Sequence, residues 1–222
     1  MNFLRKRPSI ITAEDALPGR PTPIRIASKH LVLSTPMEGP WPVGSQRATF
    51  AMGCFWGAEK FMWKVPGVYS TFVGYAGGFT PNPTYEEVCS GRTGHAEVAA
   101  VIYDGQPATY DALLKVFWEN HDPTTLNRQG GDIGTQYRSA IHVHDDEQGR
   151  LSQESLDRYQ LAIRAAGYGE IVTEISPAGD FYYAEDYHQQ YLHRFPGGYC
   201  NHGFCQAVYP DAVGAGVISG EG

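Results

Sequence analysis

Between residues 49 and 194 the sequence alternates between short apolar runs and longer amphipathic stretches, and this alternation limits the possible folds more than any other feature. The apolar runs predict strands and the amphipathic stretches predict helices. The predicted strands are 49–52, 68–75, 95–104, 137–144 and 171–176, and the predicted helices start near Phe55 and cover 84–90, 109–121, Asp145 or Asp146 to Ala166, and 183–194. Because strands that alternate with helices are typical of layered folds, we predict an α+β fold. Its expected form is a two-layer α/β sandwich around a mixed β-sheet, with a ferredoxin-like core.

The two ends of the chain lack this alternation. Residues 1–46 are rich in Pro and Gly, as in PGRPTP and PMEGPWPVG, and show no sustained period. Residues 196–222 are also aperiodic and end in small residues. We therefore expect an extended N-terminal arm over 1–46, one α+β domain over 47–195, and a flexible, coiled C-terminal tail over 196–222.

The charge and hydropathy of the chain argue against several classes of function. Its 222 residues carry a formal net charge of -7, and the only basic cluster is the run Arg5-Lys6-Arg7. Because phosphate contacts need clustered Lys and Arg, we expect no binding to nucleic acid. No stretch approaches the roughly 20 apolar residues that span a bilayer, and Glu14 and Asp15 lie where a secretory signal would be apolar. We expect a cytoplasmic monomer that does not contact membranes.

The stretch GCFWG at 53–57 places a cysteine where a strand ends and a helix begins. Unpaired N–H groups and the helix dipole favour an anion there, so we expect the pKa of Cys54 to fall from roughly 8.5 into the range of about 3.5 to 7.5. Phe55 and Trp56 cannot both point into the core, so at least one can line a site. The alternatives are a small buried hydrophobe for Cys54 and packing against the arm for the aromatic ring.

A second group of candidates combines a carboxyl group with polar aromatic residues. The run HAEVAAVIYD has two apolar faces, so we expect Glu97 to be buried and its pKa to be raised, as suits a general acid. The alternative is an ion pair with a nearby Arg or Lys. Tyr85 follows the NPT turn, and Asp132 and Tyr137 lie in GGDIGTQYRS. The tyrosines could donate hydrogen bonds to a developing oxyanion, or be core residues with satisfied hydroxyls.

Two of the four cysteines, Cys200 and Cys205, lie in the tail among several glycines. A disulfide needs Cα atoms about 4.4 to 6.8 Å apart, and a glycine-rich tail can bring a thiol to that distance from another. The cysteines therefore suggest a thiol relay. The alternative is a zinc site using Cys200, His202 and Cys205, although this spacing matches no standard zinc finger. We expect Cys89 to be a buried packing residue.

Five segments, taken in chain order, resemble those of the A-type peptide methionine sulfoxide reductases, which act on the S epimer of the sulfoxide. These segments are GCFWGAEK at 53–60, GYAGG at 74–78, NPTYEEVCSGRTGHAE at 82–97, HDPTTLNRQGGDIGTQYRS at 121–139 and FYYAEDYHQQYL at 181–192. The resemblance implies an oxidoreductase that repairs oxidised methionine, free and in proteins. It makes residues 47–195 the catalytic domain and residues 196–222 the tail that carries the recycling cysteines.

The resemblance also implies roles for the residues of the first step. Cys54 would be the nucleophile that attacks the sulfoxide sulfur and becomes a sulfenic acid. Phe55 and Trp56 would form the pocket for the substrate methyl group. Glu97 would protonate the sulfoxide oxygen, because an oxygen is a poor leaving group unless it is protonated.

Further roles follow from the same resemblance. Tyr85 and Tyr137 would hydrogen-bond the sulfoxide oxygen, with Asp132 assisting through the local network. Cys200 would form a disulfide with the oxidised nucleophile, and Cys205 would take over this bond by thiol–disulfide exchange. Thioredoxin, or dithiothreitol in its place, would reduce the last disulfide. No metal or organic cofactor is expected.

Two other functions stay open on the residues alone. A cysteine hydrolase or acyltransferase would use Cys54 at a nucleophile elbow and would need a histidine base, for which His95 and His121 are available. A non-catalytic zinc or interaction module would instead use the thiols of the tail.

Overall fold

The computed structural model describes residues 9–203 and 207–210. In chain order its elements are β1 (Gln46–Met52), α1 (Phe55–Met62), β2 (Val68–Ala76), α2 (Tyr85–Cys89), β3 (Ala96–Tyr103), α3 (Pro107–Glu119), β4 (Arg128–Gln129), β5 (Asp132–Ile133), β6 (Ser139–Val143), α4 (Asp146–Ala165), β7 (Glu174–Pro177), β8 (Phe181–Tyr183) and α5 (Tyr191–Arg194). Short 3₁₀ turns cover Thr135–Tyr137 and Asp186–His188. Within the described ranges, no helix is long and apolar enough to cross a membrane.

Six strands form one sheet in the order β7-β6-β1-β3-β2-β8, and β4 pairs with β5 in a separate hairpin. Strands β6 and β7 are parallel, whereas the other neighbours in the large sheet are antiparallel. The sheet is therefore mixed, and the predicted α+β class is confirmed. The ferredoxin-like arrangement of the core stays a prediction.

The central strand β3 is buried along its whole length because both faces of the sheet are covered. On one face, Phe50 of β1 packs with Phe117 of α3 and Tyr159 of α4. On the other face, Met37 from the N-terminal stretch is fully buried in a cluster with Phe72 of β2. A carboxyl group in β3 is consequently removed from water.

Side-chain caps define where two of the helices begin. Thr84 accepts a hydrogen bond from the Glu87 N–H, and the Glu87 carboxylate accepts one from the Thr84 N–H, which forms a capping box. This box places Tyr85 at the first position of α2. Asp145 accepts a hydrogen bond from the Gln148 N–H at 2.8 Å and starts α4, as the sequence predicted.

The prediction of a helix over 183–194 is wrong for most of its length. Residues Phe181–Tyr183 instead form the edge strand β8, paired with β2, because three successive aromatic residues suit a pleated, half-buried surface. Only Tyr191–Arg194 is α-helical in this region. The predicted strand at 171–176 begins later, at Glu174, and the strand predicted from 137 follows a 3₁₀ turn.

The environment of Cys89 and the path of the tail are further findings. Cys89 ends the one-turn helix α2 and is exposed, because Val88 is the residue of that turn that faces the core; the expectation of a buried Cys89 is wrong. In the tail, Tyr209 is buried against Tyr159. Cys205 lies outside the described residues.

Candidate active site

Cys54 occupies the position just before the first turn of α1, and Gly53 sets the local backbone. Gly53 has φ of 85°, a conformation that glycine adopts without steric cost. A Cβ at this position would lie 2.5 Å from the Gln129 Cβ, so a larger residue does not fit. The N–H groups of Trp56 and Gly57 face the thiol and lower its pKa, although no strict side-chain capping hydrogen bond forms. The chain thus turns directly from β1 into α1 with the thiol at the helix start.

The net shift of the Cys54 pKa is nevertheless upward. Burial of the thiol, which is 5% exposed, is the largest cause, and the negative charge of Glu97 is the second. Both outweigh the two N–H groups, because removal from water disfavours the thiolate. The expected lowering of this pKa is therefore wrong for the free protein. Protonation of Glu97 removes the second cause.

Glu97 lies on β3 beside the start of α1. It is 1% exposed, and its Oε2 accepts the Phe55 N–H at 3.0 Å. Burial raises the pKa of Glu97 to about 8, against the lowering by this N–H group. The carboxyl group is therefore mostly protonated at neutral pH. The ion pairs of the described residues do not include Glu97, so they do not support the alternative of an Arg or Lys partner.

The second oxygen of Glu97 has a different environment from the first. Oε1 is inaccessible to solvent and has no hydrogen-bond partner within the described part of the chain. Since Oε2 accepts the Phe55 N–H, the acid proton belongs on Oε1. A buried donor without a partner is positioned for a ligand that supplies an acceptor.

Tyr85 and Tyr137 approach the same carboxyl group from two other elements. Tyr85 is the first residue of α2, Tyr137 ends the 3₁₀ turn before β6, and both are half-buried. Burial raises the pKa of each hydroxyl, and the charge of Glu97 is the second cause for both. Both hydroxyls therefore stay protonated and can donate hydrogen bonds.

Asp132, in β5, connects this site with the tail. Its Oδ1 accepts the Tyr199 hydroxyl at 2.9 Å, and its Oδ2 accepts the Asn201 amide at 2.6 Å. Its charge also helps to raise the pKa of Glu97. Sequence reasoning gave Asp132 an assisting part in the local network but missed its contacts with the tail.

The two aromatic residues after Cys54 take different positions. Phe55 is buried among core residues, and its ring centroid lies 6.4 Å from that of Tyr85. Trp56 is half-buried, stacks on Tyr191 at 4.0 Å and donates its indole N–H to His188 Nδ1 at 3.0 Å. The two residues after Cys54 therefore provide two aromatic walls, whose ring planes are inclined at 38° to each other.

Glu185 and His188 support these walls, and sequence reasoning gave neither a role. Glu185 accepts the Tyr75 hydroxyl at 3.0 Å and the Tyr85 N–H at 2.9 Å. The ring centroid of His188 lies 4.6 Å from that of Tyr85 and 5.1 Å from that of Phe55. Both residues fall within the segment FYYAEDYHQQYL, so the motif contained a signal for them.

The tail places a second thiol against α1. A Cβ on Gly57 would lie 3.0 Å from Cys200 Sγ and 2.2 Å from His202 Nδ1, so the tail packs directly on this glycine. His202 Nε2 lies 2.8 Å from the Met52 carbonyl oxygen, and Asn201 donates to the Gln129 carbonyl oxygen at 3.0 Å. The absence of a side chain at Gly57 therefore leaves the space into which the tail packs.

The histidines required by a hydrolase make their hydrogen bonds elsewhere. His95 accepts the Gly78 N–H and donates to the Thr80 carbonyl oxygen. His121 bonds the Phe117 carbonyl oxygen and the Ser139 hydroxyl. Neither ring is bonded to Cys54, so the structure provides no base for the hydrolase alternative in these two residues.

The zinc alternative lacks support within the described ranges. No group of three or more His, Cys, Asp or Glu side chains there could hold a metal ion. One of the residues that this alternative requires, Cys205, lies outside those ranges.

Comparisons with known proteins agree with one another. The family model described as peptide methionine sulfoxide reductase matches residues 46–209. Peptide methionine sulfoxide reductase MsrA of Salinispora arenicola (strain CNS-205) is 60% identical over 204 residues, which are 90% of this chain and 93% of that relative. MsrA 1 of Caulobacter vibrioides is 56% identical over 217 residues, which are 98% and 99% of the two chains. The structure of methionine sulfoxide reductase A of Corynebacterium diphtheriae is similar with a TM-score of 0.78 and 45% identity, covering 87% of this chain and 94% of that one.

Proposed function

The chain belongs to the peptide methionine sulfoxide reductase family and is an oxidoreductase, and we propose that it reduces methionine S-sulfoxide, free and in proteins, through Cys54, Cys200 and Cys205. The observation that carries this proposal is the meeting of Cys54 and Glu97 in one buried site, where the Phe55 N–H bonds the carboxyl group. A nucleophilic sulfur and a neutral acid can reach one small S=O group from two sides.

In the first step, the sulfur of Cys54 attacks the sulfoxide sulfur. The carboxyl group of Glu97 protonates the sulfoxide oxygen, which weakens the S=O bond. The thiol proton of Cys54 replaces the proton that Glu97 gives up. Transfer of the hydroxyl oxygen to Cys54 then breaks the new S–S bond, so that methionine leaves as the thioether and Cys54 becomes a sulfenic acid. The raised pKa of Glu97 suits this step, because burial keeps the carboxyl group protonated at neutral pH.

Substrate orientation comes from groups around this pair. The hydroxyls of Tyr85 and Tyr137 stabilise the developing charge on oxygen, and Phe55 and Trp56 enclose the substrate methyl group. Because the nucleophile, the acid and the methyl pocket lie in fixed directions around a chiral sulfur, the site selects the S epimer.

In the second step, the Cys200 thiol attacks the sulfenic acid of Cys54, which gives a disulfide and releases water. Cys205 then attacks this disulfide and frees Cys54. Thioredoxin, or dithiothreitol in its place, reduces the resulting disulfide. We assign this cycle to the cytoplasm, where the reducing thiol pool keeps cysteines available.

Methionine released without any reductant tests the proposal. Wild-type protein is mixed with S-sulfoxide, and methionine is counted per chain while peptide mapping locates the oxidised cysteines. We expect about two equivalents of methionine from the wild type, because Cys205 frees Cys54 for a second turnover. Cys200→Ser should give about one equivalent, and Cys54→Ser none.

Cys89→Ser serves as the matched control, because it removes the other described cysteine and leaves the relay in place. It should give the wild-type amount of methionine. Methionine release by Cys54→Ser, or equal turnover of the R and S epimers by the wild type, would overturn the proposed function.

A further inference from the structure

His202 is held by one hydrogen bond that also fixes its tautomer. Its Nε2 lies 2.8 Å from the Met52 carbonyl oxygen. A carbonyl oxygen only accepts, so Nε2 carries the proton and donates it. In the neutral ring, Nδ1 then has a free lone pair and can act as a base.

The lone pair on Nδ1 is enclosed by the protein. Nδ1 is inaccessible to solvent and has no hydrogen-bond partner in the part of the chain that the structure describes. Burial lowers the pKa of His202, which keeps the ring neutral, while the Met52 carbonyl and Asp132 act in the opposite direction. A buried polar atom without a partner needs an explanation. A purely structural role for the ring explains the bond to Met52 but not the free Nδ1.

The groups that face this ring come from several elements. Asp132 contributes a negative charge from β5. His121, two residues after the end of α3, is nearby and stays neutral because burial lowers its pKa to about 3. The Phe61 ring of α1 lies with its centroid 6.1 Å from that of His202. No second base of comparable position is present among these neighbours.

The neighbour of chemical interest is the thiol of Cys200. Cys200 Sγ and His202 Nδ1 both lie within 3.0 Å of the place that a Cβ on Gly57 would occupy. The N–H of the same glycine faces the Cys54 thiol. Two thiols and one free base therefore gather around Gly57.

We propose that His202 is a catalytic residue of the recycling step and that its Nδ1 takes the proton from the Cys200 thiol. This inference rests on the proposed function, because it requires Cys200 to attack the sulfenic acid of Cys54. The Cys200 sulfur forms the S–S bond, and the S–O bond of Cys54 breaks. The proton passes from Cys200 to His202 and then to the departing oxygen, which leaves as water. Cys200 is oxidised and Cys54 is reduced from sulfenic acid to disulfide, so no other reactant is needed.

The test compares His202→Gln with wild type, both in a Cys205→Ser background that stops the relay at the first disulfide. Glutamine can still donate a hydrogen bond to the Met52 carbonyl oxygen but provides no base. Rapid quenching measures methionine release and, by thiol alkylation and mass spectrometry, the Cys54–Cys200 disulfide. His193→Gln is the matched control, because His193 is exposed.

We expect His202→Gln to release about one equivalent of methionine but to form the disulfide about 10²-fold more slowly at neutral pH, as befits a lost general base. In this variant the disulfide rate should rise steeply with pH, because hydroxide from the solvent must then take the proton from Cys200. The wild type and His193→Gln should show a much weaker dependence.

Disulfide formation by His202→Gln at the wild-type rate and with the wild-type pH profile would overturn the inference. Equal slowing of methionine release and disulfide formation would also overturn it, since the ring would then act through the whole site. Sulfenic acid made with one equivalent of hydrogen peroxide starts the second step without substrate. Failure of methionine release in the wild type would therefore count against the proposed function, while the peroxide arm still decides the role of His202.

Discussion

The two thiols that meet at Gly57 lie in opposite environments. Cys54 is 5% exposed and is fixed by the backbone at a helix start, with Glu97 packed beside it. Cys200 is exposed and lies in a segment without regular secondary structure. The difference matches two demands of the proposed cycle. Reduction of the sulfoxide needs a site that excludes water, whereas a disulfide that a protein reductant must reach needs an accessible segment.

Different forces hold these two regions in place. The frame of Cys54 is part of the apolar core between β1, β3 and α1. The segment around Cys200 is held mainly by hydrogen bonds of Tyr199, Asn201 and His202. Each such bond contributes about 0.5 to 3 kcal/mol net, with the bonds to the Asp132 carboxylate at the upper end, so release of residues 199–202 costs less than opening the core. We expect this segment to move during the cycle while the helix start stays fixed.

Glu97→Gln changes the buried region around Cys54 and should have the largest effect on methionine release. Glutamine keeps the shape of the protonated acid but cannot transfer a proton to the sulfoxide oxygen. We expect methionine release in a single turnover to slow by about 10² to 10⁴-fold. Once sulfenic acid has been made with hydrogen peroxide, disulfide formation with Cys200 should be affected much less, because that step uses the tail.

Glu59→Gln provides the matched control for this substitution. Glu59 is a second buried glutamate, within α1, and its carboxylate accepts hydrogen bonds from Thr71 and Gln190. Burial raises its pKa to about 7, so both variants remove a carboxyl group with a raised pKa. Methionine release that slows equally in both would show that loss of a buried carboxyl group, and not loss of the acid at Glu97, causes the effect.

Sequence reasoning located the buried region better than the tail, for a physical reason. GCFWG carries a local signal, a turn glycine, which predicts Cys54 at a helix start. HAEVAAVIYD carries another, an apolar pattern, which predicts a buried Glu97. The direction of the Cys54 pKa shift could not be predicted from the sequence, because the burial of the thiol depends on the residues that pack around it. The contact of His202 with Met52 joins residues 150 positions apart, and a single polar contact of this kind leaves no period in the sequence.

Gly57→Ala should disturb the packing of the tail on α1 while changing the core only slightly. The added methyl group would meet His202 and Cys200 at 2.2 to 3.0 Å, so the tail must shift. Overpacking of this kind costs about 1 to 3 kcal/mol, which corresponds to a roughly 5- to 150-fold loss of the docked tail. We expect the disulfide step to slow by about that factor, and more than methionine release does.

Gly149→Ala is the control for Gly57→Ala, because Gly149 is also helical and has room for a methyl group, with its nearest contact at 3.8 Å. It should stabilise α4 by roughly 0.5 to 1 kcal/mol and leave both steps at the wild-type rate. Rapid quenching of all three proteins separates the steps. A Gly57→Ala protein that forms the disulfide at the wild-type rate would mean that Cys200 does not react from the docked position.

Asp132→Asn is the substitution with the smallest expected effect. It tests the comparison between the two regions because Asp132 belongs to both. Its carboxylate holds Tyr199 and Asn201, and its charge helps to keep Glu97 protonated. Asparagine can still accept a hydrogen bond but loses the charge, and one weakened hydrogen bond corresponds to a roughly two- to tenfold change. We expect this slowing chiefly in disulfide formation, measured after peroxide oxidation, with a smaller change in methionine release. If methionine release slows more than disulfide formation, Asp132 acts mainly on Glu97. The boundary between the fixed and the movable region would then lie beyond β5, within the tail.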